Sequence, residues 1–301
     1  MNLFREYFLY VFFMLNIVAF GQIERPKATP YTAESTFLHL KKKYPFIKPV
    51  NKTFPTTVAR DENIIYTSFN GTNLTADVYY PTDIKVKKPA IILVHGGGWI
   101  SGSKENQQIM AQQLAANGYV AMAINYSLSD AAKYPAAVHD IEKAVSWLKS
   151  NRKKYGNNTK IAILGASAGA QLATLVGVKK ENKIDAIINI DGIVSFIHPE
   201  AEEGQYAAYW FGATKDQNIK LWTEASPLEY VSAKTPPTLF INSSQPRFHA
   251  GRDDMISKLA AYKIDYEVHE IKDSPHSFWL VEPWFDETLN YIVNFMNKLF
   301  K

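Results

Sequence analysis

A serine between two glycines is the feature of this 301-residue chain that most clearly indicates chemistry. The segment reads Gly165-Ala166-Ser167-Ala168-Gly169, follows the apolar run 161–164 and precedes a stretch typical of a helix. A serine at a strand-to-helix junction can occupy a tight, strained turn that admits only small neighbours. The start of the following helix favours negative charge developing near the hydroxyl. The pattern therefore predicts a nucleophilic serine at Ser167.

A glycine-rich loop follows an earlier apolar run, 90–94. It reads His95-Gly96-Gly97-Gly98-Trp99. Consecutive glycines leave backbone N–H groups unshielded, so such a loop can point two donors at the place where a carbonyl oxygen becomes an oxyanion. The loop is accordingly interpreted as a stabiliser of negative charge close to the serine.

A nucleophilic serine needs a base, and the chain has seven histidines. His276 lies in the loop between the last predicted strand and the closing helix, a placement that brings it over the strand ends beside Ser167. His249 also follows a strand and stays open as an alternative. The ring of His95, at the head of the glycine loop, is expected to orient that loop rather than take a proton.

Short apolar runs alternate with amphipathic stretches along most of the chain. The pattern predicts a doubly wound α/β domain, with a mostly parallel sheet covered by helices on both faces, and an active site beyond the carboxyl ends of the strands. An Asn70-Gly71 turn signal predicts a β-hairpin before the first of these apolar runs. The strands are expected at 90–94, 120–125, 161–164, 186–190, 238–241 and 266–271, and the helices around 107–117, 136–150, 168–178, 253–262 and 284–299.

Four segments are expected from the organisation of the chain. Residues 1–21 are interpreted as a signal peptide, because an apolar run of 13 residues, Phe8 to Phe20, ends at Ala19-Phe20-Gly21 and is short for a bilayer span. Residues 22–60 form an N-terminal arm and 61–301 the α/β domain. An aromatic insertion at about 195–235 is interpreted as a lid or substrate wall, or as an excursion packed on the core.

Composition excludes several classes of protein. Thirty-three basic and 29 acidic residues give a net charge of +4, which is no nucleic-acid signature. The absence of cysteine excludes a disulfide framework, a thiolate zinc site and a cysteine nucleophile. No His/Asp/Glu cluster has metal-ligand spacing, so neither a metal nor another cofactor is expected. No later stretch is long enough to span a membrane, which predicts a secreted or periplasmic protein. The sequence does not indicate an oligomeric state.

Together the glycine loop, the serine motif and His276 resemble the α/β-hydrolase superfamily over residues 62–300. The similarity is greatest to a secreted esterase and lipase-like branch with a His-Gly-Gly-Gly loop, which includes bacterial acetyl and feruloyl esterases. The resemblance implies that Ser167 is the nucleophile, that His276 is the base, and that the N–H groups of Gly97, Gly98 and Ala168 form an oxyanion hole.

The acidic partner of the histidine departs from the pattern of that superfamily. Where an aspartate is usual, after the strand at 238–241, the chain reads Asn242-Ser243-Ser244-Gln245-Pro246. Asp191, directly after the preceding strand, is the favoured replacement. Asp254 and Asp253 remain alternatives with an ordinary role as helix-capping charges, and a dyad without an acid is the last possibility.

The resemblance implies a secreted serine carboxylesterase. Expected substrates are small esters or esterified polysaccharides carrying short-chain or hydroxycinnamoyl groups, with Trp99, Trp210 and Trp279 as candidate stacking surfaces. Two alternatives are a serine exopeptidase, which normally brings a large extra domain, and a binding protein on a hydrolase scaffold, which typically lacks the serine or the histidine.

Overall fold

A computed structural model describes residues 23–27, 29–83, 88–156, 159–202 and 204–301. The segment interpreted as a signal peptide lies outside these residues. The strands are β1 (Lys48–Pro49), β2 (Val58–Phe69), β3 (Thr72–Pro81), β4 (Ala90–Val94), β5 (Val120–Ile124), β6 (Ile161–Ala166), β7 (Ala186–Ile190), β8 (Thr238–Ser243), β9 (Tyr266–Ile271) and β10 (Val281–Glu282). Eight of them form one sheet in the order β2-β3-β5-β4-β6-β7-β8-β9, in which β2, β3 and β5 pair antiparallel and the strands from β5 to β9 pair parallel. The mostly parallel sheet confirms the predicted fold class.

The strands lie close to the predicted positions, and the Asn70-Gly71 hairpin joins β2 to β3. A separate two-stranded sheet pairs β1 with β10.

Helices cover both faces of the sheet because successive strand residues point to opposite sides and both sides are apolar. In β4, Ile92 and Val94 join the core beneath α3, α4 and α7, whereas Ile91 and Leu93 join the core beneath α2 and α8. The helices are α1 (Ala33–Leu40), α2 (Gln108–Ala116), α3 (Ala136–Tyr155), α4 (Ala168–Val178), α5 (Gly204–Phe211), α6 (Ile219–Glu224), α7 (Arg252–Ala261) and α8 (Trp284–Leu299). Among the described residues, no helix is long and apolar enough to cross a membrane.

The insertion between β7 and β8 contains α5 and α6, and most of its aromatic residues are structural. Trp210 is fully buried and stacks on Trp99, with ring centroids 5.0 Å apart and an interplanar angle of 8°. The expectation that Trp99, Trp210 and Trp279 offer stacking surfaces to a substrate is therefore wrong: their exposures are only 3%, 0% and 2%. These rings gain more by completing the core than by facing solvent.

Candidate active site

Ser167 occupies a strained turn between β6 and α4. Its φ and ψ are 54° and −125°, a region that residues with a side chain rarely adopt. The turn is held by the Ser167 N–H, which donates to the Ile190 carbonyl at 2.9 Å. A Cβ atom on Gly165 would lie 2.0 Å from the Gly169 carbonyl oxygen, and one on Gly169 would lie 2.3 Å from the His95 oxygen. Only glycine fits at the positions two residues before and two residues after the serine.

The side chains of Ser167, His276 and Asp191 form one line of hydrogen bonds. His276 Nε2 lies 2.8 Å from Ser167 Oγ, and His276 Nδ1 lies 2.7 Å from Asp191 Oδ2. A carboxylate can only accept, so Nδ1 carries the proton in this arrangement and Nε2 is free to accept one from the serine hydroxyl. The Asp191 side chain is fully buried, and the Ser243 N–H donates to its second oxygen at 2.9 Å. Asp191 thus has both oxygens partnered.

The other candidates for the acid and the base lie elsewhere. Asp254 is 61% exposed, and its carboxylate lies 3.6 Å from His198 Nε2. Asp253 pairs with Arg252 at 2.8 Å near the start of α7. His249 is buried in the loop after β8, and desolvation lowers its pKa from the usual range. The structure brings Asp191 and His276 to the serine, and not Asp253, Asp254 or His249.

The glycine loop lines the same cleft as the serine. The N–H groups of Gly97, Gly98 and Ala168 all belong to residues that border the cleft, and none of the three donates a hydrogen bond to another residue that the structure describes. Trp99 fixes the end of the loop, because its Nε1–H donates to Gln171 Oε1 at 3.1 Å while its carbonyl accepts from the Ser129 hydroxyl at 2.9 Å. The glycine loop is therefore held in the wall of the cleft that also contains Ser167.

His95 supports the loop from below. Its ring is buried and stacks on Tyr126 at 4.3 Å, and its Nδ1 lies 2.7 Å from the Gly96 carbonyl oxygen. Desolvation lowers the pKa of His95 to about 4, so the ring is neutral at physiological pH and donates from Nδ1 to that carbonyl. The geometry agrees with a role in orienting the loop.

A cleft of about 370 Å³ opens above these groups. Its walls come from segments that are distant from one another in the sequence. The arm contributes Thr29 and Tyr31, the insertion contributes Tyr206, and the loop after β8 contributes Arg247 and Phe248. The Tyr206 hydroxyl donates to the Lys27 carbonyl at 3.3 Å, which joins the insertion to the arm. Across the described residues, no three His, Asp or Glu side chains are grouped so that they could hold a metal ion.

Sequence reasoning missed most of the residues that wall the cleft. Arg247 and Phe248 lie in the segment after the 238–241 strand, a few residues beyond its end, and this position near a strand end is a signal that the sequence offers. Tyr31 gave none, because nothing in the arm's sequence indicates that its ring reaches the loop of His276, where its hydroxyl lies 3.3 Å from Ser277 Oγ.

Comparisons with known proteins agree on the family and the fold. A family model described as BD-FAE matches residues 76–248. Esterase LipC of Mycobacterium tuberculosis is 27% identical over 190 residues, 56% of this chain and 47% of its own. Esterase LipQ of the same organism is 25% identical over 188 residues, 56% of this chain and 43% of its own. The chain thus spans about half the length of the curated relatives it matches.

Solved structures show the same fold at low sequence identity. A truncated carbohydrate esterase from gut microbiota superposes with a TM-score of 0.68 at 20% identity, over 83% of this chain and 98% of that one. At this identity the superposition shows the α/β-hydrolase architecture alone.

Proposed function

Because the chain belongs to the BD-FAE family, we propose that it hydrolyses carboxylic esters through an acyl-serine intermediate. The observation that carries the proposal is the line of hydrogen bonds from Asp191 through His276 to Ser167. It lies in a cleft that Gly97, Gly98 and Ala168 also line, and among the described residues the N–H groups of these three have no acceptor. A nucleophile, an oriented base and oxyanion donors in one cleft are what acyl transfer requires.

The proposed reaction has two steps. In the first, Ser167 Oγ attacks the ester carbonyl as its proton passes to His276 Nε2, and the carbonyl oxygen becomes an oxyanion held by the N–H groups of Gly97, Gly98 and Ala168. The same proton then goes to the alkoxy oxygen, the C–O bond breaks, and the alcohol leaves. In the second step, water attacks the acyl carbon as its proton passes to His276 Nε2. The bond between the acyl carbon and Ser167 Oγ then breaks, Oγ takes the proton back from Nε2, and the carboxylic acid leaves. Asp191 keeps the imidazole in the tautomer that accepts the proton.

For the substrate we propose short-chain or hydroxycinnamoyl esters carried on a polysaccharide. The cleft is open, and its rim offers Arg247, Glu202 and Thr29, whose polar groups can bind sugar hydroxyls. The insertion places the ring of Tyr206, which is 37% exposed, in the wall of the cleft, where it can stack on a sugar or on an aromatic acyl group. A structural relative that bears the name carbohydrate esterase supports the same substrate class.

We further propose that the protein is exported. Arg5 followed by the apolar run and Ala19-Phe20-Gly21 supports removal of residues 1–21. Amino-terminal sequencing of the protein recovered from its natural host should begin at Gln22. A start at Met1 would contradict the proposal.

The test of the activity is a panel of esters with matched variants. Wild type should hydrolyse 4-nitrophenyl acetate and butyrate faster than the decanoate, and should release acetate from acetylated xylan or ferulate from a feruloylated arabinoxylan. Ser167→Ala should lose turnover while its melting temperature stays within a few degrees of wild type. A wild type that is inert on every ester, but that cleaves amino-acid 4-nitroanilides or merely binds the polysaccharide, would refute an esterase.

A further inference from the structure

The ring of Phe248 lies face to face with the imidazole of His276. The centroids are 3.5 Å apart and the planes differ by 11°, a closer approach than that of His95 and Tyr126 at 4.3 Å. Phe248 belongs to the 3₁₀ turn Pro246–His249 that follows β8. A phenyl ring neither accepts nor gives a proton, so this contact acts on the position of the imidazole.

The two hydrogen bonds of His276 do not by themselves prevent every movement of its imidazole ring. The bonds to Asp191 and Ser167 hold the two ring nitrogens within the plane of the ring, but they offer little resistance to a swing of the imidazole out of that plane. Such a swing carries Nε2 away from the serine hydroxyl and bends both bonds, which weakens them. A flat surface against one face of the imidazole blocks this swing on its side. Phe248 provides that surface.

Arg247 holds Phe248 from the opposite side. Its guanidinium carbon lies 4.1 Å from the Phe248 centroid, and because the imidazole already covers one face of that ring, the guanidinium must cover the other. The phenyl ring is thus the middle layer of a stack. Arg247 also lies 3.7 Å from Glu202 of the insertion, which connects the outer layer to another wall of the cleft.

We propose that Phe248 is a positioning residue that keeps His276 aligned between Asp191 and Ser167. The inference rests on the proposed function, in which His276 is the base. It also gives the end of β8 and the turn that follows it a part in the site, although neither supplies a carboxylate: the Ser243 N–H fixes the acid, and the Phe248 ring fixes the base.

Kinetics of matched variants separate alignment from substrate contact. Phe248→Leu keeps an apolar side chain but removes the flat face, and it should lower kcat on 4-nitrophenyl acetate about 10-fold or more, since a misplacement of about 1 Å can cost about 10²-fold, with KM within about twofold. Phe248→Tyr keeps the face and should restore kcat to within about threefold. Phe46→Leu, at a ring that is 61% exposed and packs on Tyr44 and Trp284, is the control and should match wild type.

A spectroscopic readout tests the stack without activity. In protein with labelled histidine, the carbon-bound ring protons of His276 should be shifted upfield by the Phe248 ring and should return downfield in Phe248→Leu, while the proton on Nδ1 broadens by faster exchange. Unchanged resonances in Phe248→Leu, or a rise in KM at constant kcat, would overturn the positioning role. If wild type is inert on esters while these resonances respond, the esterase proposal fails and the alignment of His276 stands.

Discussion

Replacing Asp191 by asparagine is the sharpest test of the hydrogen-bond line. The Ser243 N–H donates to one oxygen of Asp191, so the single oxygen of an asparagine will turn to that donor and its NH₂ group will face His276 Nδ1. Nδ1 must then accept, which moves the imidazole proton to Nε2. In that tautomer Nε2 donates to Ser167 Oγ and cannot take the hydroxyl proton.

The expected loss is large because the tautomer is wrong in the whole population. An equivalent change in a serine protease lowers kcat about 10⁴-fold, which corresponds to about 5 kcal/mol of transition-state stabilisation. We expect a similar fall in kcat for Asp191→Asn on 4-nitrophenyl acetate, and a change of less than about twofold for Asp254→Asn, whose side chain is 61% exposed. If Asp191→Asn keeps more than about a tenth of wild-type kcat while Asp254→Asn falls steeply, the assignment of the acid is wrong.

Three further outcomes follow from other parts of the site. Ser167→Gly should have a free energy of unfolding about 1 kcal/mol larger than that of Ser167→Ala, and therefore a higher urea midpoint, because only glycine adopts a φ of 54° and a ψ of −125° without strain. Equal midpoints would count against that strain. The pKa of His95 is about 4 in the folded protein, against an ordinary value of 6.5 that applies to the unfolded chain. As the pH falls, the unfolded chain therefore binds the proton before the folded protein does. The contribution of neutral His95 to the free energy of unfolding should therefore be complete above pH 6.5 and should fall by about 3 kcal/mol towards pH 4. Urea titrations at several pH values should show a flatter dependence on pH in His95→Gln. Gly98→Ala, whose Cβ would lie 2.7 Å from the Tyr206 ring, should lower kcat/KM at least about 10-fold, and adding Tyr206→Ala should recover part of the loss; a fully additive double variant would contradict the clash.

The sheet and the ends of its strands could be predicted from the sequence because each signal is local. β4, β7 and β9 occupy the predicted ranges, and α4 begins directly after Ser167 as expected. An apolar run bounded by polar residues is readable without tertiary information. The same holds for the glycine pair around the serine, because the tight turn demands small residues.

The sequence favoured Asp191 among the aspartates but did not fix the choice. Asp191 directly follows β7, whereas Asp254 lies in the first turn of α7, where a charge that caps the helix is ordinary. Their roles follow from the pairing of β7 with β8, which places the Ser243 N–H against Asp191. The wall formed by Tyr31 and the stack of Phe248 on His276 depend in the same way on tertiary contacts between distant segments.

The reacting groups and the walls of the cleft come from different parts of the fold, so substitutions can change one without the other. Its reacting groups are set in the ends of β6 and β7 and in one loop, whereas its walls come from the arm, α5 and the turn after β8. Under the proposed esterase activity, substitutions at Thr29 or Tyr206 should therefore alter which ester enters, while the reactivity of Ser167 toward a small phosphonate stays constant. The arm and the insertion meet where Tyr206 contacts the Lys27 carbonyl, so under the same proposal a change in the preferred alcohol should need compensating changes in both segments.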